Sequence, residues 1–294
     1  MYTLLLSISF SVAVSIFLKL AYRHDIRVEQ AVAVNYLTAL AACLLLLRPP
    51  LDTLFDQPLE GWLVLILLGF LLPGIFMVMA AAVRQAGIVL SDTAQRLSLL
   101  VPILASFLIF GEQLSSTKAT GIVVAFAALA CLVWRTSAGK MTPHGASLGK
   151  QAGGTQLHGL WILLGVWAGY GTIDVLFKLM ARLGARFSST LLLSFMLAAL
   201  LIFAWLVLRR AVWHMRSLLS GVLLGALNFS NIYFYIRAHQ TFPENPTLVF
   251  AAMNIGVISV GILVGAGLFG ERPSRVNLLG IVLALAAVFL LLPR

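Results

Sequence analysis

Apolar stretches long enough to cross a bilayer follow one another along almost the whole of this chain. A spanning helix needs about 20 mainly apolar residues. Stretches of that kind run at Tyr2–Tyr22, Val28–Leu47, Gly61–Val83, Ile88–Phe110, Ala119–Trp134, His158–Met180, Ser188–Leu208, Leu218–Ile236, Pro246–Phe269 and Asn277–Leu292. Turn and charge chemistry separates them, as in Arg48–Glu60 and Gly270–Arg275. Hydrophobic residues make up 61% of the chain and charged residues 10%, whereas soluble domains carry roughly 25% charged residues. Such a surface cannot be kept in water, so lipid is the solvent for most of it. The fold class expected is an all-α integral membrane protein with ten transmembrane helices. The first stretch has no basic n-region and no clear small-residue cleavage site before Lys19, so it reads as a retained span and not as a secretion signal.

The net charge of +10 does not point to nucleic acid. The basic residues sit singly or in small groups between apolar stretches, the pattern of loops beside anionic lipid head groups. Cys43 and Cys131 both fall inside apolar stretches, too far apart for a disulfide framework or a metal site. The five histidines show no ligand spacing, and no nucleophile–base motif appears. No cofactor and no metal are expected, and the chain is not expected to be an enzyme. The partners expected are a small-molecule substrate and membrane lipid, with a homodimer compatible with the sequence.

One segment differs. Arg135–Leu157 is rich in Gly, Ser and Thr and reads as a flexible linker. Its Gly145-Ala-Ser-Leu-Gly-Lys-Gln run has three residues where a phosphate-binding loop needs four, and Gln151 where that loop needs Ser or Thr. ATP binding is therefore rejected. The linker divides two similar halves, residues 1–134 and 158–294. Phe110-Gly111-Glu112 returns as Phe269-Gly270-Glu271, an offset of 159, and Phe110–Trp134 matches Phe269–Pro293 at 11 of 25 positions without gaps. The same offset relates Lys19 to Lys178, so two separate regions argue for duplication. Five spans per half make the second half enter from the opposite face. Two inverted five-helix repeats follow, a recurrent plan of transporters with the binding site near the midplane.

With these residues in place the chain resembles the drug/metabolite transporter superfamily, in its ten-helix EamA-like branch. The resemblance rests on a proline-containing helix, Phe-Gly-Glu, a short polar turn and a Gly-led final span, seen at Leu97–Gly121 and again at Met253–Gly280. The second copy departs from the pattern, since no proline matches Pro102. A local helix distortion that differs between the halves is expected. The resemblance implies transport of a metabolite across a membrane without naming the cargo.

Ionisable residues inside a membrane are costly and usually face the interior or a wet cavity. Asp92 and Arg96 share one face of the fourth span at i, i+4. Arg96 is suited to grip a carboxylate or phosphate, or the two form an ion pair that orients helices. Asp174 and Lys178 repeat the spacing in the sixth span. Inversion places Lys19 and Lys178 at two mouths of one pathway, each attracting an anionic group; the alternative is a lysine snorkelling at a helix end. Asn228, Asn231, Tyr235 and His239 form a polar stripe on one face of the eighth span, facing a substrate or bonding to neighbouring helices. Asn254 falls near Arg96 in the repeat alignment. Substrate contact is expected from Arg96, Lys19, Lys178, Asn228, Asn231, Tyr235 and Asn254. Proton coupling is expected from Asp92, Asp174 and Glu244. Glu112 and Glu271 are read as structural, capping helix amides.

The function expected is a secondary active transporter that moves a small polar metabolite, amino-acid-like or anionic, by alternating access. A flippase for lipid-linked substrates or a non-transporting membrane subunit is the alternative. The location expected is the cell (inner) membrane. The resemblance implies cytoplasmic termini, while the basic residues favour the opposite orientation, with six on the terminus side and eleven on the other.

Overall fold

A computed structural model of the chain describes residues 1–23, 26–52, 54–86, 88–133, 155–269 and 274–292. It is built of helices, and no strand occurs among the described residues. In chain order they are α1 (Tyr2–Arg23), α2 (Val28–Ala42, prolonged by a π turn over Cys43–Leu47), α3 (Leu59–Ala86), α4 (Ile88–Leu97), α5 (Leu100–Leu108) and α6 (Ser116–Val133). There follow α7 (Thr155–Arg182), α8 (Phe187–Leu208), α9 (Met215–Thr241), α10 (Pro246–Phe269) and α11 (Arg275–Leu291). Residues 155–157 thus already belong to α7 and not to the linker. The remainder of the linker, residues 135–154, lies outside the described residues.

Among the described residues six helical stretches are long and apolar enough to cross a bilayer: Val28–Leu47, Leu59–Met79, Gly159–Arg182, Phe187–Leu208, Met215–Thr241 and Pro246–Gly267. Four shorter apolar stretches accompany them at Tyr2–Phe17, Ala94–Leu108, Ser116–Leu132 and Arg275–Leu291. At 1.5 Å per residue the shorter ones reach about 25 Å, near the lower limit for a span. The chain is a multi-pass membrane protein. Leucines such as Leu45, Leu108 and Leu208 stand outward at 73%, 82% and 83% exposure, as lipid-facing positions do.

The fourth stretch expected as one span is two helices, α4 and α5, broken at Ser98–Leu99. Pro102 explains the break. Its ring occupies the space of the carbonyl four residues earlier, and it has no N–H to donate there. That carbonyl belongs to Ser98, which accepts instead from Val101 N–H at 3.0 Å. In the second half α10 runs without interruption, as the missing proline leads one to expect.

Helices in lipid gain nothing from exclusion of water, so close packing and polar bonds must hold them together. α9 is packed against α1, α2 and α7; α3 against α7 and α8; and α10 against α1, α5 and α6. Gly221 and Gly225 let the backbones of α9 and α2 touch. A Cβ at either would fall 2.6 Å from the Ala31 carbonyl oxygen or 2.7 Å from that of Asn35. α6 and α11 lie antiparallel as an outer pair. A Cβ on Gly121 would meet Leu291 Cγ at 2.9 Å, and one on Gly280 would meet Leu132 Cγ at 2.9 Å. Gly261, by contrast, has nothing within 4 Å of a Cβ position, so its small size serves no helix contact. Inside the bundle, Tyr36, Phe195 and Phe229 form a ring cluster joining α2, α8 and α9.

Candidate functional site

The Phe-Gly-Glu segment after α5 builds one wall of a cavity. Gly111 stands in the left-handed region at φ 67°, where a Cβ is strained. That turn sends Glu112 back into the bundle, where it is buried. Its Oε2 accepts from Thr247 N–H at 3.1 Å and from Thr247 Oγ1–H at 2.7 Å. The carboxylate therefore caps the first turn of α10, where helix amides lack partners and the helix end is positive. The helix capped is distant in sequence and is not the helix that follows the motif. Lys118 Nζ lies 3.0 Å from Oε1 and balances the charge, without the alignment of a hydrogen bond.

Phe110 lies under two cations. Lys178 Nζ is 5.8 Å from its ring centroid, and Arg182 Cζ is 4.6 Å from it. Lys178 and Arg182 are four residues apart and share one face of α7. Lys178 is 1% exposed, so it does not snorkel to water. Its ammonium donates to the Pro243 carbonyl at 2.8 Å, tying α7 to the turn between α9 and α10. Arg182 donates to the Phe110 carbonyl at 3.2 Å. From α9, Arg237 donates to Gln240 Oε1 at 3.1 Å. The cavity between these segments has a volume of about 730 Å³, with His239 in its wall and Glu244 at its rim. The ends of α5, α7 and α9 and the starts of α8 and α10 surround it, so it lies at one end of the bundle.

Below the cavity, Tyr235 donates to Asp174 Oδ1 at 3.0 Å, joining α9 to α7. The Tyr235 ring meets His239 edge-on at 4.9 Å, so this pair underlies the histidine. The rest of the stripe on α9 bonds to other helices. Asn228 Nδ2 donates to Asn35 Oδ1 on α2 at 3.1 Å. Asn231 accepts from Ser7 Oγ on α1, at its side-chain oxygen (3.0 Å) and its carbonyl (3.1 Å). One face of α9 thus bonds in turn to α1, α2 and α7.

The structure brings Lys178, Glu112 and Glu244 to one cavity, with Asp174 and Tyr235 beneath it. Arg96, Asn228, Asn231 and Asn254 are not in its walls. Arg96 is half-buried near the end of α4. Asn254 is half-buried on α10 and bonds weakly to the Phe250 carbonyl at 3.4 Å. The side chains of Lys19 and Asp92, and the whole of Glu271, lie outside the described residues. Arg182 and Arg237 are cavity residues that residue spacing does not single out, and Phe110 stands out only as part of the repeated Phe-Gly-Glu motif. Arg182 and Arg237 read there as loop charges, but both stand on helices in the cavity wall. Among the described residues no group of His, Cys, Asp or Glu could hold a metal ion.

Residues 1–134 match the model of the EamA-like transporter family. A protein of Haemophilus influenzae, named only as an uncharacterized protein, is 47% identical over 295 residues, covering 99% of this chain and 97% of its own. The chain belongs to the EamA-like transporter family. Members of this family are membrane transporters of small solutes and not enzymes. A solved crystal structure superposes with a TM-score of 0.72 over 98% of this chain and 94% of its own. At 15% identity that likeness speaks for the fold.

Proposed function

We propose that this EamA-like protein is a secondary carrier in which two inverted five-helix repeats, residues 1–134 and 158–294, move a small polar metabolite by alternating access. One observation supports the inversion above others. Gly121 is packed under Leu291, and Gly280 under Leu132. Both pairs of equivalent residues differ by the repeat offset: Gly280 follows Gly121 by 159, and Leu291 follows Leu132 by 159. A contact that returns when the halves are exchanged, in antiparallel helices, is what a two-fold axis in the membrane plane produces. Exchange α1 with α7, α2 with α8, α3 with α9, α4–α5 with α10, and α6 with α11. The packing of α1 on α9 becomes α7 on α3, α2 on α9 becomes α8 on α3, and α1 on α10 becomes α7 on α4–α5. Each of these partner pairs is in contact.

Such symmetry lets the two halves trade conformations, which opens the site to each side in turn. The groups that serve the substrate in this account are Arg96, Lys19, Lys178, Asn228, Asn231, Tyr235 and Asn254, with Asp92, Asp174 and Glu244 as proton carriers. The cell membrane is the location we assign, with both termini in the cytoplasm.

The test is uptake into proteoliposomes, across a panel of amino acids, organic acids and nucleotide-linked metabolites, with and without a pH gradient. We expect saturable uptake of one class, reduced by Lys19→Ala and by Lys178→Ala at unchanged protein levels. Uptake no greater than in empty liposomes across the panel would overturn the assignment.

A further inference from the structure

We propose that the cavity at the end of α7 and α9 is an oxyanion subsite, taking the carboxylate or phosphate group of a small metabolite, with Lys178 exchanging the Pro243 carbonyl for that group. The inference deepens the carrier assignment by naming the chemistry of the cargo.

The first ground is an excess of positive charge, three cations in a wall that holds two carboxylates. An ammonium has three donors and a guanidinium five. Lys178, Arg182 and Arg237 each meet one neutral oxygen, from Pro243, Phe110 and Gln240 respectively. Among the described residues none of the three forms an ion pair. Glu112 is nearby, yet its oxygens are held by Thr247 and Lys118. Glu244 at the exposed rim is the remaining carboxylate of the wall. A buried cation in direct contact with no anion is unfavourable, and Lys178 is the most buried of the three.

The second ground is His239. It is 1% exposed, yet neither ring nitrogen has a hydrogen-bond partner among the described residues. Buried polar groups are nearly always partnered, and an exception calls for a reason. Tyr235 and Phe250 hold the ring on its faces, at 4.9 Å and 4.7 Å between centroids. They supply contact but no acceptor for its N–H. A ligand oxygen in the cavity that His239 lines supplies one.

Size is the third ground. A volume of about 730 Å³ lies inside the range of sites for metabolites and cofactors, roughly 300–1,000 Å³. The Pro243 carbonyl gives Lys178 a partner while the site is empty. An oxyanion is the stronger acceptor for an ammonium, so its arrival releases the turn between α9 and α10 from α7. Binding and freedom of that turn are then one event.

The experiment is calorimetric titration of the full chain in phosphatidylcholine nanodiscs, with inorganic phosphate and with succinate as probes. No gradient is applied, so the result is independent of uptake. We expect saturable binding of at least one probe, weakened about 10-fold or more by Lys178→Gln and by Arg237→Gln. Arg216→Gln, at the opposite end of α9, leaves it unchanged. Arg237 is exposed, so its variant keeps the inference testable if Lys178→Gln fails to fold. The titration is repeated in nanodiscs containing phosphatidylglycerol. Unchanged affinity there supports a soluble ligand, whereas loss of probe binding assigns the site to an anionic lipid head group and overturns the metabolite claim. Absence of binding by both probes, or equal affinity in all variants, overturns the subsite itself. Uptake of a neutral solute without anion binding would leave the carrier standing and remove this inference alone.

Discussion

Tyr235 of α9 donates its phenol proton to Asp174 of α7 at 3.0 Å, directly below the cavity. This bond crosses between helices that carry the two cations Lys178 and Arg237. Tyr235→Phe leaves the carboxyl without that donor. Bonds of this kind between membrane helices average about 0.6 kcal/mol and reach about 1.7. A double-mutant cycle of Tyr235→Phe with Asp174→Asn, read by thermal unfolding in detergent, should give a coupling in that range. Purely additive effects would show that the bond carries no stability.

The packing of α6 on α11 makes a paired prediction. Gly121→Ala places a methyl 2.9 Å from Leu291 Cγ, and overpacking of this kind costs about 1–3 kcal/mol. Leu291→Ala in the same chain should restore most of the lost stability. Gly280→Ala with Leu132→Ala should repeat both results. Loss at one site without loss at the other would argue against equivalence of the two contacts.

Ser7 Oγ on α1 donates to Asn231 on α9 at 3.0–3.1 Å, so the two helices are in contact at these positions and a disulfide placed there tests whether they part. In a chain with Cys43 and Cys131 replaced, Ser7→Cys with Asn231→Cys should cross-link under oxidant. If α1 and α9 separate during the cycle, the cross-link stops uptake and reductant restores it. Full uptake by the cross-linked protein would mean that these two helices move as one.

Glu112→Ala removes the one oxygen that accepts both Thr247 bonds and leaves a helix amide buried without a partner. The expected loss of stability is about 1–3 kcal/mol. Thr247→Val removes only the hydroxyl bond and should lose less. Gly111→Ala forces a Cβ into a left-handed turn at φ 67° and should lose roughly 1–2 kcal/mol. Thermal unfolding of the three variants provides the ranking, and an undiminished Glu112→Ala protein would contradict the capping role.

The helices are legible in the sequence because a lipid solvent leaves no subtlety in hydropathy. Val28–Leu47 ends at Leu47 in both accounts, where Arg48 turns left-handed. The break in the fourth stretch is harder to read. Pro102 names a distortion without saying where the helix resumes, and Pro73 lies inside α3 without ending it. The cavity is the least legible part. Its walls come from segments around 110, 180 and 240, and only the fold brings these together. Lys178, Glu112 and Glu244 stand out as charges beside apolar runs. Arg182 was within reach, four residues after Lys178 on one helical face. Phe110 belongs to the repeated Phe-Gly-Glu motif, which marks a turn and not a cavity wall, and Arg237 carries no local signal, since an arginine near the end of a membrane helix is ordinary.

The interruption at Ser98–Leu99 has no counterpart in α10. A carrier with identical halves would hold its inward-open and outward-open forms at the same free energy. One segmented rod facing one continuous rod removes that degeneracy, because bending one costs less than bending the other. In the alternating-access carrier we propose, the empty molecule would then rest on a preferred side, and a difference of about 1.4 kcal/mol would already make that preference tenfold.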